Sequence, residues 1–167
     1  GLKDVAAAET RISYIDPSGS LYYLGYDIDD LVGRVVYAEV AFLLVNKRLP
    51  NRKELEEFNS ELIANMRLPD EVVDSIKRSP RDAHPMDVLR TEVSRLGEFD
   101  PKVLDLSPEE NLRKAKRLIA QVPTIVATIH RARQDREVPE PRSDLTFAEN
   151  FLYLFHGKVP DKDEADV

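Results

Sequence analysis

Polar and apolar residues alternate from Glu9 to Ile15, through Arg11, Ile12, Ser13 and Tyr14. That is the period-2 rhythm of a strand. Asp16-Pro17-Ser18-Gly19 follows and reads as a type I turn, with Pro at its second place and Gly at its fourth. Leu21-Tyr22-Tyr23-Leu24 is the return strand. The pattern predicts a small N-terminal β-hairpin over about 9–24, the only convincing β signal in the chain.

Beyond it the period becomes helical. Helices are predicted over about 28–33, 37–47, 52–66, 70–77, 85–97, 108–134 and 147–156. Gly33 ends the first of these. Val40, Ala41, Leu43 and Leu44 cover much of the second, which should be largely buried. Asn51 with Glu54 resembles a capping box at the start of the third, where Leu55, Phe58, Leu62 and Met66 recur at helical spacing. Pro85 suits the first position of the fifth. Met86, Leu89, Val93 and Leu96 form one stripe along it, and Gly97 stops it. Ser107-Pro108-Glu109-Glu110 combines a Ser cap, Pro in the first turn and Glu at the third position. The helix it opens carries Leu112, Leu118, Ile119, Val122, Ile125 and Ile129, and Pro123 within it should kink or interrupt it. Asp135 to Asp144, with Pro139 and Pro141, reads as a mobile, protease-sensitive loop. Thr146 with Glu149 is a further capping box. Its helix carries Phe147, Phe151, Leu154 and Phe155 before Gly157.

From Pro160 to Val167, Pro and acids stand where a helix begins, and no apolar face develops before the last residue. The expectation is a piece of a longer protein; the alternative is a frayed acidic tail.

The 167 residues suffice for one domain with a real core, and 42% apolar with 33% charged residues is a globular composition. No apolar run approaches the ~20 residues of a membrane span. The chain contains no cysteine, so thiolate metal sites, disulfides and Cys nucleophiles are excluded. The cytoplasm is the default compartment. The net charge of −7 argues against nucleic acid, whose phosphates call for a basic face. Arg131-Ala132-Arg133 reads as a solvated helix end.

Among His84, His130 and His156, no pair has metal-ligand helical spacing. His84 stands before Pro85, where a ring nitrogen could cap backbone N–H groups. His130 and His156 lie near helix ends and suit the dipole there. There is no phosphate loop and no nucleophile elbow. Neighbouring acids such as Asp29-Asp30, Glu56-Glu57 and Glu109-Glu110 do not share a helix face. No metal site and no catalytic or substrate-binding residue emerges from the residues themselves.

Several strings nevertheless resemble the citrate synthase family, in order and at compatible spacing. They are Ala8 to Asp16 with Leu21 to Ile28, Glu39 to Leu44 with Arg48-Leu49-Pro50, and Asp82-Ala83-His84-Pro85-Met86-Asp87-Val88-Leu89-Arg90-Thr91. Ala120 to Ala127 and Ala148 to Tyr153 complete the series. The resemblance implies a mainly α, multi-helical portion of a citrate-synthase-like large domain with a small N-terminal β-hairpin. The whole chain, 1–167, would be the N-terminal part of that domain, with the small domain absent. It implies a dimeric acyltransferase of the tricarboxylic acid cycle that condenses acetyl-CoA, or propionyl-CoA, with oxaloacetate by acid–base enolisation. That reaction needs no metal and no cofactor beyond the coenzyme A thioester substrate. The family's catalytic His and Asp motifs do not occur here, so no catalytic residue is carried over and the chain alone is expected to be inactive.

The resemblance further implies a homodimer through helices 85–97 and 108–122, with Met86, Leu89, Val93, Leu96, Leu112, Leu118 and Ile119 at the interface. From the residues alone these helices could equally serve an intramolecular core. Leu24 stands where the family usually has Arg, and Asn46 or Lys47 where Gly is common. The acyl preference, and synthesis against citryl-CoA cleavage, stay open. The alternative function is a stand-alone helical dimerisation or interaction module of the same ancestry.

Overall fold

A computed structural model describes residues 9–161. Most of the acidic segment 160–167 therefore lies outside the described residues. The chain divides into two compact units, one ending at Leu55 and one beginning at Glu56.

The first unit opens with an antiparallel sheet in the order β1 (Ser13–Ile15), β2 (Leu21–Tyr23), β3 (Tyr26–Asp27). Ser13 pairs with Tyr23 and Ile15 with Leu21. The Gly19 N–H donates to the Asp16 carbonyl at 3.0 Å and closes the expected turn. The Ser18 hydroxyl donates to Asp16 Oδ1 at 2.6 Å, and this bond leads those that hold the carboxyl below its ordinary range. The third strand corrects the two-stranded hairpin. Leu24 and Gly25 both take positive φ, 50° and 91°, as a two-residue hairpin turn that matches strand twist requires. Leucine rarely adopts that conformation, so the turn carries no sequence signal at its first central place.

A single helical turn, α1 (Ile28–Leu31), follows and ends before Gly33, whose φ is 72°. α2 (Tyr37–Asn46) buries Ala38, Ala41, Phe42 and Leu43. At the start of α3 (Arg52–Ala64) the capping box is reciprocal. Glu54 N–H donates to Asn51 Oδ1 at 3.0 Å, and Asn51 N–H to Glu54 Oε2 at 2.9 Å. Arg48 clamps the same carboxylate with both Nη atoms. That clamp, then the Asn51 N–H, holds the Glu54 carboxyl down to about 2.

The second unit contains the rest of α3, α4 (Asp70–Arg78), α5 (Pro85–Arg95), α6 (Pro108–Ala132) and α7 (Phe147–His156). α6 is central, packing against α4, α5 and α7. One core cluster unites Leu68, Val72, Ile76, Val88, Leu96, Ile125 and Ile129.

Three local readings are corrected. Pro123 does not interrupt α6, which runs unbroken from Pro108 to Ala132. Ile125, Ala127, Thr128 and Ile129, all buried beyond the proline, hold the last turns by packing. Gly97 is not the stop of α5. The helix ends at Arg95 and tightens into a 3-10 turn over Leu96–Phe99. Ser107 occupies the N-cap of α6 but makes no side-chain cap bond. Its own N–H is held by Asp105 Oδ1 at 2.9 Å, and the Asn111 side chain bonds the Leu106 carbonyl.

Asp135 to Asp144, read as mobile, is tied down at several points. Asp135 pairs with Arg81, Glu137 with Lys77 at 2.9 Å, and Arg131 Nε donates to the Glu137 carbonyl. Among the described residues no helix is long and apolar enough to cross a membrane.

Candidate functional site

Pro85 and the His84 cap fix where α5 begins. His84 Nδ1 accepts from the Met86 N–H at 3.2 Å, the capping role its place before Pro85 suggests. The candidate stripe of α5 then divides. Leu96 is buried in the core cluster, and Leu89 and Val93 pack against that cluster from its edge. Only Met86 stays open to solvent, 59% exposed. Rotation about the helix axis turns Met86 away from the core. Val88, Glu92 and Leu96 are the buried positions, and at 3.6 residues per turn they span about 80° of arc. Met86 lies about 120° from the centre of that arc. On α6, Leu118 is 40% exposed, while Leu112 and Ile119 are half-buried.

The loop between the helices adds apolar surface that the periodicity does not reveal. Leu104 is 89% and Leu106 is 78% exposed. They are displayed by a fastened loop. Lys114 Nζ donates to the Val103 carbonyl at 2.9 Å and to the Asp105 carbonyl, and Lys102 pairs with Glu110 at 2.8 Å. Isolated exposed leucines are ordinary; here Lys114 fastens the Val103 and Asp105 carbonyls on either side of Leu104.

Behind this surface is a charge network the sequence reading missed. Asp100 is buried, and Arg113 grips both its oxygens at 2.7 and 2.8 Å. Arg117 lies 3.4 Å from Asp100 Oδ2 and also reaches Gln121 and the Leu96 carbonyl. The Arg113 hydrogen bonds lead the causes that hold the Asp100 carboxyl below its ordinary range. The Glu110–Arg113 spacing was a visible signal. The Asp100–Arg113 pairing crosses a loop and was not. Glu92 is likewise a buried acid with no apolar periodicity to announce it. It accepts from the Ser75 hydroxyl of α4 at 2.7 Å, and its other oxygen has no hydrogen-bond partner among the described residues.

Two open clefts flank the 135–141 loop, of about 240 and 450 Å³. Two ion pairs lie in their walls, Lys77–Glu137 and Arg81–Asp135. Neither places a nucleophile beside a base. Among the described residues no group of His, Cys, Asp or Glu could hold a metal. What fold and site together define is a helical scaffold with a presented apolar surface.

The family model described as Citrate synthase, C-terminal domain, matches residues 1–167. The chain is 42% identical to Citrate synthase 2 of Bacillus subtilis, over 100% of its own length and 45% of that protein. It is 39% identical to the citrate synthase of Deinococcus radiodurans, over 99% of its own length and 44% of that protein. The crystal structure of citrate synthase from Pyrobaculum aerophilum superposes with a TM-score of 0.89 at 35% identity, covering 99% of this chain and 44% of that one. The chain belongs to the citrate synthase family. It corresponds to the N-terminal part of these relatives and spans under half of their length.

Proposed function

We propose that the chain is the N-terminal helical scaffold of an acyltransferase that condenses acetyl-CoA, or propionyl-CoA, with oxaloacetate. It supplies packing and a self-association face, and the acid–base groups lie in the remainder of the protein. The observation that carries this reading is the family match over residues 1–167 of a chain that spans under half the length of its relatives. The test is a chimera in which residues 1–167 replace the corresponding portion of the Bacillus subtilis relative. It is expected to release coenzyme A from acetyl-CoA and oxaloacetate. A folded, dimeric chimera without turnover would overturn the reading.

That second copies of the chain meet through α5 and α6 is supported by exposed Met86 and Leu118 and by the fastened loop carrying Leu104 and Leu106. Leu118→Asp is expected to keep the helical spectrum and the melting cooperativity of the parent yet sediment as a monomer. Val93→Asp is expected to lower stability as well, because Val93 packs on the core cluster and a buried carboxylate is costly. A Leu118→Asp protein that still sediments as a dimer would place the contact elsewhere. The second reading, a helical interaction module of the same ancestry, draws on the same surface. It predicts association of the chain together with a silent chimera.

A further inference from the structure

His130 differs from the other histidines in where its ring sits. It lies flat on Phe155, with ring centroids 3.9 Å apart and planes 10° from parallel, and so joins the last turns of α6 to those of α7. Phe155 is backed by Phe151 at 5.9 Å and meets His156 edge-on at 5.3 Å. The Gln134 amide nitrogen lies 2.9 Å from His130 Nε2. An amide N–H can only donate, so that contact is a hydrogen bond when the imidazole nitrogen is bare. The charged groups acting on the ring are all basic: His156 from α7, Arg131 from α6 and Arg136 from the loop that follows.

We propose that this stack is an acid-sensitive joint between the C-terminal ends of α6 and α7. The neutral imidazole holds the two helix ends together, and the imidazolium releases them. A cation there would gain from the Phe155 face and from the helix C-termini. Burial, and after it the basic groups nearby, oppose it and hold the imidazole below its ordinary value. The sign follows. A base held low in the folded state adds stability that is complete above the unfolded-state value, and this is lost as pH falls through the folded-state value. His84 and His156 are exposed, and among the described residues no ring stacks flat on either.

The test is hydrogen exchange of the α7 amides in the intact protein at pH 7.5 and 5.5, corrected for intrinsic exchange. It is run beside His130→Phe, which keeps a flat ring and cannot titrate. Protection of residues 151–156 is expected to fall several-fold at the lower pH in the parent and to stay constant in His130→Phe. Unchanged protection in the parent, or the same fall in His130→Phe, would overturn the proposal. Should that variant not fold, nitrogen-15 titration of His130 in the parent decides. A midpoint below that of a free histidine, rising in His156→Gln, supports the joint; a midpoint at or above it sinks it.

Discussion

Replacing Asn150 with Leu is expected to destabilise the protein by about 3 kcal/mol. Asn150 is fully buried on α7. Its amide donates to the carbonyls of Arg142 at 2.8 Å, Leu145 at 3.2 Å and Thr146 at 3.1 Å, and its oxygen accepts from the Arg142 N–H at 2.7 Å. One side chain therefore bonds four backbone groups where the chain turns into α7. Leucine nearly preserves the volume, so the loss is not a cavity. It is the desolvation of backbone groups left without partners, each costing about 1–3 kcal/mol, less what loop relaxation and water recover. Urea unfolding should show a lower midpoint with an unchanged slope. Asn150→Asp keeps the acceptor, loses the donors and buries a charge, so it should be no better. A leucine variant within about 0.5 kcal/mol of the parent, the range of ordinary surface substitutions, would mean that the loop satisfies itself.

Ile125→Ala should lower stability by a similar amount, about 3 kcal/mol, and with a spatial signature. Ile125 is fully buried in the cluster with Val72, Ile76, Val88 and Leu96. It also lies just past Pro123, where the helix lacks a backbone donor and an interior proline costs about 3 kcal/mol against alanine. Packing beyond the proline is what keeps α6 unbroken, so truncation removes both apolar contact and the support for those turns. Amides of residues 124–132 should lose protection more than those of residues 112–120. Uniform loss along α6 would show that Pro123 is accommodated without help from this core.

Much of the fold was legible because its signals are local. Asn51 with Glu54, Pro85, and Thr146 with Glu149 announce helix starts through bonds within a few residues, and those bonds are present. What failed depended on partners far along the chain. Pro123 carries a local instruction to break, and a core assembled from α4 and α5 overrides it. β3 follows a turn that places leucine at positive φ, against its local preference. The candidate site was legible only as apolar periodicity. That reading placed Leu89, Val93 and Leu96 beside Met86 without seeing that Val88 and Glu92 set the inward direction. Leu104 and Leu106 have no periodic neighbours, and the role of Lys114 in fastening their loop is visible only once α6 lies beside it. The stack of His130 on Phe155 joins two helices separated by the whole charged loop, beyond any spacing rule.

On the proposed reading these residues supply scaffold and association while the reacting groups lie elsewhere in the protein. The most direct measurement is thiol release from acetyl-CoA and oxaloacetate by the purified 167-residue chain, with folding verified in the same sample. No release above the uncatalysed rate is expected at any protein concentration. Steady release in proportion to protein, lost on unfolding, would contradict it and put the chemistry within these helices.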